Sequence, residues 1–485
     1  MQRLRRLSWK LGCLMAAAFL VVFGRWYYLE GLANPFFIDP SWPELTTVAL
    51  DDSERLIVCG DNIHVSHEHP NARHFEVVIA AGGSSVSPMC IASIYQEGDT
   101  HFVRGFVSVD QGQNWKGEYE LLPRRGISVA DPTVEIADDG STYLVAMDSL
   151  GEGNLDGLEL AIRDGSVGTW SAQRLCDFGL DRPWITLQKQ NAGNSNLLVI
   201  GQANEASLLT YDLADLRPTG RSSTQLGLVS CRPARALAWK TVEPIAIVQN
   251  RFPTWNGRVR STIPQIIKLE TNSDGVLEPS EKIGAEWQYS RGKAGSAIHT
   301  MFPATACNPD AGEHADHGYC VWAASLSSHP DDECLLVSRS TDRGQSWERP
   351  QLLSEQDLEA AANGRYLSFM PEVAVNKNGV VGVVWYDRRG MEASTTEEIA
   401  PNTTRTSFVG QNVRFRASVD GGESWLPSVQ VNSIETFASY NVGHTLGIAT
   451  DASGRFHATW IDARTGVPQV WSAAIRVKEH TITDE

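Results

Sequence analysis

Ser108-Val109-Asp110-Gln111-Gly112-Gln113-Asn114-Trp115, Ser340-Thr341-Asp342-Arg343-Gly344-Gln345-Ser346-Trp347 and Ser418-Val419-Asp420-Gly421-Gly422-Glu423-Ser424-Trp425 are three copies of one phrase, S-x-D-x-G-x-x-W. Its chemistry is that of a tight turn. The Asp carboxylate accepts hydrogen bonds from turn amides, Gly supplies a positive φ, and Trp folds back over the hairpin. Asp110 with Trp115, Asp342 with Trp347 and Asp420 with Trp425 are therefore structural residues of the turn. Asp164-Gly165 with Trp170 reads as a decayed fourth copy.

A longer unit surrounds these turns. An apolar strand leads through a Gly/Asp/Asn turn into a second strand that ends in an aromatic residue and Asp. Copies begin at Thr133, Glu372 and Leu446, and weaker ones near Glu76, Trp184, Ala234 and Phe302. Four strands per repeat of this size, arranged radially, predict an all-β chain folded as a β-propeller. Seven blades are counted, with six as the alternative. The last repeat runs out after its third strand, so its outer strand is expected from the N-terminal side, at Glu44–Leu50. Such closure removes an open sheet edge.

The three phrases resemble the Asp-box, or BNR repeat, of the sialidase (neuraminidase) superfamily. Residues 370–390, MPEVAVNKNGVVGVVWYDRRG, and 443–471, GHTLGIATDASGRFHATWIDARTGVPQVW, resemble bacterial exported proteins of the exo-α-sialidase-like kind. The resemblance covers nearly the whole chain after about Asp51. It implies three arginines on a sialic acid carboxylate, a Tyr/Glu nucleophile pair and an Asp acid/base. The family's Arg-Ile-Pro motif is absent, and Gly443-His444-Thr445 stands where related sequences carry Gly-Asp-Tyr. The family's six blades also differ from the seven counted.

Composition narrows the classes. Against 41 Lys+Arg stand 58 Asp+Glu, a formal net charge of −17, which argues against a nucleic-acid partner. The 15 Trp and 41 Gly suit a β protein with many turns. No Gly-rich nucleotide loop is present, so no cofactor is expected. Arg3, Arg5, Arg6 and Lys10 precede an uncharged run from Leu11 to Gly24. That pattern predicts export, with residues 1–33 either a cleaved signal peptide or a membrane anchor seated through residues 8–28. Residues 34–50 form a linker, 51–477 the propeller, and 478–485 a polar tail. The expected location is periplasmic or extracellular, secreted or anchored.

Topology sorts the residues by face. The Asp-box turns join third to fourth strands and mark one face. Loops that join blades, and loops between second and third strands, surround the channel mouth at the other. Arg251, Arg388 and Arg464 begin loops of the second kind and could hold a carboxylate by bidentate hydrogen bonds. The bland reading is that each ties to an adjacent Asp. Between blades lie Asp131, Asp181, Arg182, Arg232, His299, Glu372 and His444. Asp131, Glu372 and His444 are the acid/base candidates, and Arg182 a further binder. For Asp131-Pro132 and Asp181-Arg182-Pro183 the bland reading is a turn that starts a strand.

Three further features were weighed. His64, His67, His69 and His74 crowd one stretch, but their spacing matches no catalytic zinc pattern, and no metal is expected. Cys307 and Cys320 bracket a loop between neighbouring strands and are the one expected disulfide. The stretch Asp387 to Gly410 could act as a lid. The expected function is glycoside hydrolysis on an acidic sugar. The alternatives are a propeller that binds glycan or protein without turnover, and a lyase of uronate polymers.

Overall fold

The computed structural model describes residues 56–478 apart from 83–87, 99, 125–127, 152–153, 190–194, 203–204, 225–230, 240–242, 256–259, 284–302, 309–311, 326–332, 355–367, 389–392, 401–402, 409 and 435–444. The described residues contain strands and turns and no α-helix. They form a β-propeller of seven four-stranded blades. The inner strands are Arg73–Ala81, Ser128–Ile136, Asp181–Lys189, Cys231–Pro233, Ala304–Cys307, Ser368–Val375 and Gly447–Thr450. Blades 1 and 2 are joined as one sheet by a single parallel pairing of His101 with Ser128. Neighbouring inner strands pack on one another around most of the ring, including blade 7 back on blade 1. Between blades 4 and 5, the Thr305 hydroxyl donates to the Arg235 carbonyl.

The second strand of each blade is covered on both faces by neighbouring blades. This explains why VGVVWYD at Val381–Asp387 and FHATWID at Phe456–Asp462 are buried throughout. Trp322, Trp385 and Trp460 are fully buried in equivalent second strands. Each such ring is worth a few kcal/mol of transfer free energy, of order 2–3.

Closure comes from the N-terminal side, but at Ile57–Cys59 rather than at Glu44–Leu50, which lies outside the described residues. Ile57 pairs with Val477 and Cys59 with Ile475, antiparallel, as the outer strand of blade 7. Ile63–His64 adds a second short pairing, to Trp471 and Ser472. The loop after Asp387 forms a β-hairpin, Ala393–Ala400 with Thr403–Phe408.

The Asp-boxes are third-to-fourth-strand turns, as expected. In each, the Ser hydroxyl donates to Asp and accepts from the Gly amide: Ser108 to Asp110 at 2.8 Å, Ser340 to Asp342 and Ser418 to Asp420 at 2.7 Å. The Asp carboxylate also accepts the amide four residues on, at 2.8–2.9 Å. Two consecutive residues take positive φ, Gln111–Gly112, Arg343–Gly344 and Gly421–Gly422. Each turn then packs against the preceding blade. Gly112 lies against His457, Gly344 against Ile245 and Trp239, and Gly421 against His314. His314 thus braces a turn of blade 6, and Asp316 accepts from Arg343 at 2.7 Å.

The expected disulfide is not formed: Cys307 and Cys320 are free thiols. Register gives the reason. Cys307 faces Gly318 and Cys320 faces Thr305, so the two cysteines are diagonal neighbours. Diagonal Cβ atoms lie about 7–8 Å apart, beyond disulfide reach. Cys307 instead lies 3.5 Å from the Ala238 carbonyl.

Partial burial opposes ionisation of Asp342, yet the donors from Ser346, Ser340 and Gln345 outweigh it and hold the carboxyl below its ordinary range. Replacing Asp342 by Ala (Asp342→Ala) leaves those donors without their acceptor. A loss of about 1–2 kcal/mol is expected, read as a lower thermal midpoint, with Asp342→Asn losing less.

Candidate active site at the channel mouth

Four inner strands carry the same irregularity near their first residues. Glu76, Asp131, Arg182 and Met370 have φ of 48°, 50°, 53° and 49°. Each sits at a break in register with the second strand. A non-glycine residue in the left-handed region costs of order 1 kcal/mol or more, and persists only where its surroundings enforce it. Three of the four precede proline, at Pro132, Pro183 and Pro371. The bulge adds one residue to the inner strand and re-aims its side chain. It lies at the end of each strand away from the Asp-boxes, at the mouth.

The bulges of blades 1, 2 and 3 bring their side chains together. Glu76, Asp131, Pro132, Arg182, Pro183 and Trp184 line a narrow cleft with Thr445 of blade 7. It holds about 290 Å3 of atom-free space, open mouth included. Glu76 is only 8% exposed. Burial, the Asp131 charge and a hydrogen bond to Asp131 together lift its pKa well above the ordinary carboxylate value, with Arg182 pulling the other way. The protonated form of Glu76 is therefore favoured, and in that form it can donate to the Asp131 carboxylate. The backbone amide of Arg182 donates to Asp131 Oδ2 at 3.3 Å. Asp181 adds a further negative charge near Glu76. A carboxyl kept protonated beside a carboxylate can act as a general acid.

A second charged group lies along the inner strands. Arg235 of blade 4 pairs with Glu135 of blade 2, and its guanidinium carbon is 5.5 Å from the Trp184 ring centroid. It also interacts with Glu372 of blade 6. Burial pushes Glu372 up to about 7, and the Arg235 charge only partly offsets this. Burial likewise lowers Arg235.

The structure divides the expected site residues. Asp131 and Arg182 meet in the cleft. Glu372 lies two residues beyond its own bulge, paired through charge with Arg235. Arg388 is nine-tenths buried, its guanidinium 4.8 Å from the Phe369 ring centroid. Arg464 does not serve the mouth. Its Nε donates to Asp462 at 2.5 Å, its Nη1 reaches Asn62 and Ser433, and it stacks 4.2 Å from the Trp471 ring centroid. The adjacent Asp captures it, because a guanidinium two residues from a buried carboxylate closes the loop on itself. Arg251 is within a strand, not at a loop start. It pairs with Pro264, and its side chain lies outside the described set. His444 and His299 lie outside the described residues.

The histidine cluster does not gather a metal set: among the described residues no group of three or more His, Cys, Asp and Glu could hold an ion. His64 stacks on Trp471, and His74 is buried with its Nδ1 2.9 Å from the Ser93 hydroxyl. Glu76 and Arg235 are the residues that sequence reasoning missed. The signal for Glu76 was positional. It stands where Asp131, Arg182 and Met370 stand in their blades, but without the following proline that marks them.

No family model matches the chain, and no curated protein matches it. Among solved structures it is similar to the β-propeller domain of the trilobed protease from Pyrococcus furiosus, with 9% identity, TM-score 0.42, and coverage of 85% of this chain and 98% of that one. It is similar to the phage phi92 endosialidase, with 8% identity, TM-score 0.43 and coverage of 86% and 70%. It is also similar to the Penicillium chrysogenum α-L-arabinanase, with 12% identity, TM-score 0.40 and coverage of 72% and 93%. Likeness at this level adds no residue to the site.

Glu372 yields a pH test. The folded chain holds its proton more tightly than the unfolded chain does. This contribution is full below pH 4.5 and is lost as pH rises through about 7. Glu372→Gln removes the slope. The variant's thermal midpoint relative to wild type is expected to be higher at pH 8 than at pH 5, by an amount worth about 1–3 kcal/mol. An equal offset at both pH values would refute the assignment.

Proposed function

We propose that the chain is an exported, sialidase-like glycoside hydrolase that works at its channel mouth. The observation that carries this reading is the meeting of two carboxyls, Glu76 and Asp131, in one cleft at the mouth. Hydrolysis needs an acid for the leaving oxygen and a base for water. Glu76 protonates the glycosidic oxygen as the bond to the anomeric carbon breaks. Water adds at that carbon and gives up its proton to solvent, because a carboxylate hydrogen-bonded to the acid stands on the acid's side of the sugar and does not reach that water. Asp131 instead holds the Glu76 carboxyl in place through their hydrogen bond, and Glu76 regains its proton from solvent.

Arg182 supports an acidic sugar as substrate, because its guanidinium is the cation of the cleft and can pair with a sugar carboxylate. The three-arginine clamp that the resemblance implies has no support from Arg464. That favours, as a second reading, a propeller that binds glycan at this mouth without turnover.

The test is turnover of a fluorogenic glycoside panel, acidic and neutral, by the purified chain. Glu76→Gln and Asp131→Asn are each expected to lower kcat about 10²–10⁴-fold while thermal midpoints stay close to wild type. Arg182→Ala is expected to raise KM for acidic glycosides more than for neutral ones. Turnover unchanged in both carboxyl variants would overturn the mechanism. Glycan binding with no turnover by the wild-type chain would establish the second reading instead.

A further inference from the structure

The face opposite the mouth carries a depression that the closure itself creates. In blades 1, 5 and 6 the Asp-box turn packs over the preceding blade. Blade 7 has no such turn. Its third strand ends at Val477, and its fourth strand is Ile57–Cys59 from the other end of the chain, with the Lys478 amide donating to the Leu56 carbonyl at 2.7 Å. The first turn of blade 6, Asn376 to Val380, therefore has no Asp-box over it. A depression opens there with about 800 Å3 of atom-free space, its mouth included.

The lining is polar and basic. Asn376, Asn378, Ser453, Arg455, Arg476 and Gln111 contribute, with Val380 and Val477 as the apolar floor, and no acidic side chain lines it. The walls are rigid. Asn376 donates to the Gly454 carbonyl at 2.7 Å and accepts the amides of Asn378 and Val380 at 3.0 Å, so it locks blade 6 to blade 7. Arg455 is held by Asp451 at 2.9 Å and reaches Gln111 of blade 1. The Arg476 side chain is exposed and makes no hydrogen bond or ion pair with a described residue, while its backbone pairs with Val58. Lys377 is exposed on the same turn.

Three blades thus present the unpaired Arg476 guanidinium, side-chain amides, and an Arg455 guanidinium and Ser453 hydroxyl that are already bonded to Asp451, around an open, preformed concavity. That donor-rich set matches a ligand with an oxyanion and flanking hydroxyls. On a chain with a formal net charge of −17, a basic concavity is a local exception that selects anions. We propose that this depression is a second binding site, distinct from the mouth, for a saccharide bearing a carboxylate. Arg476 takes the carboxylate, and Asn378, Ser453 and Gln111 take hydroxyls. The site holds a polymer while the opposite face acts on chain ends, but its binding does not depend on the mouth being catalytic.

The experiment is calorimetric titration of the purified chain with an oligogalacturonate, a neutral oligosaccharide of equal length and inorganic phosphate. Acidic oligosaccharide is expected to bind, and Arg476→Glu to weaken it about tenfold or more. Asn378→Ala is expected to weaken it less. Arg182→Ala, at the mouth, leaves this binding unchanged, and Arg476→Glu leaves kcat on a small fluorogenic glycoside unchanged. Equal affinity in Arg476→Glu, or loss of binding in Arg182→Ala, would overturn the site. Phosphate or the neutral sugar binding as tightly as the uronate would overturn the ligand class.

Discussion

Ring closure is the constraint on which the other features depend. A propeller blade cannot bury its own faces. Each sheet relies on the next, and the series is stable only when the last meets the first. Here the meeting is made by Ile57–Cys59, paired with Ile475–Val477, and by Ile63–His64, paired with Trp471 and Ser472. Closing the ring with strands from both chain ends ties the termini of the domain together and removes an aggregation-prone edge. It also forces inner-strand starts from different blades to converge at one mouth, and so sets Glu76, Asp131 and Arg182 side by side though they are far apart in sequence.

The same constraint accounts for what differs between the two faces. On the Asp-box face the turns are hydrogen-bonded to themselves and packed on the preceding blade, so their carboxylates are committed. At the mouth, the bulges re-aim side chains into a shared cleft, and there the carboxyls face one another. Charge repulsion and burial, which any isolated carboxylate would avoid, are met by favouring the protonated form of Glu76 beside Asp131. Arg235 performs the related task farther along the strands, as a half-buried cation between Glu135 and Glu372. Proton placement and charge pairing across blades thus shape the chemistry more than any single loop does.

Much of this architecture was legible before any coordinate. Three S-x-D-x-G-x-x-W phrases require a hairpin turn because Gly and Asp at those offsets satisfy its amides locally, and the flanking apolar strands state the blade repeat. Asp131 and Arg182 were visible as polar residues before proline at strand starts. Less legible were partners separated by many residues. For Arg464 the tie to Asp462 was legible as the bland reading, but its distant partners Asn62, Ser433 and Trp471 were not. Cys307 and Cys320 looked bridgeable until register set them on a diagonal. Glu76 had no proline to mark it.

The sequence by itself determined the blade, its turn, the face on which that turn lies and the need for an outer strand from the other chain end, because these follow from local backbone chemistry and strand periodicity. Only the tertiary structure decided which residues closed the ring, which carboxyls met at the mouth, that Arg464 was claimed by its neighbours and where a missing turn left a polar hollow. Those outcomes depend on distances between blades, and the energy of a contact between residues far apart in the chain is defined only once the ring has closed.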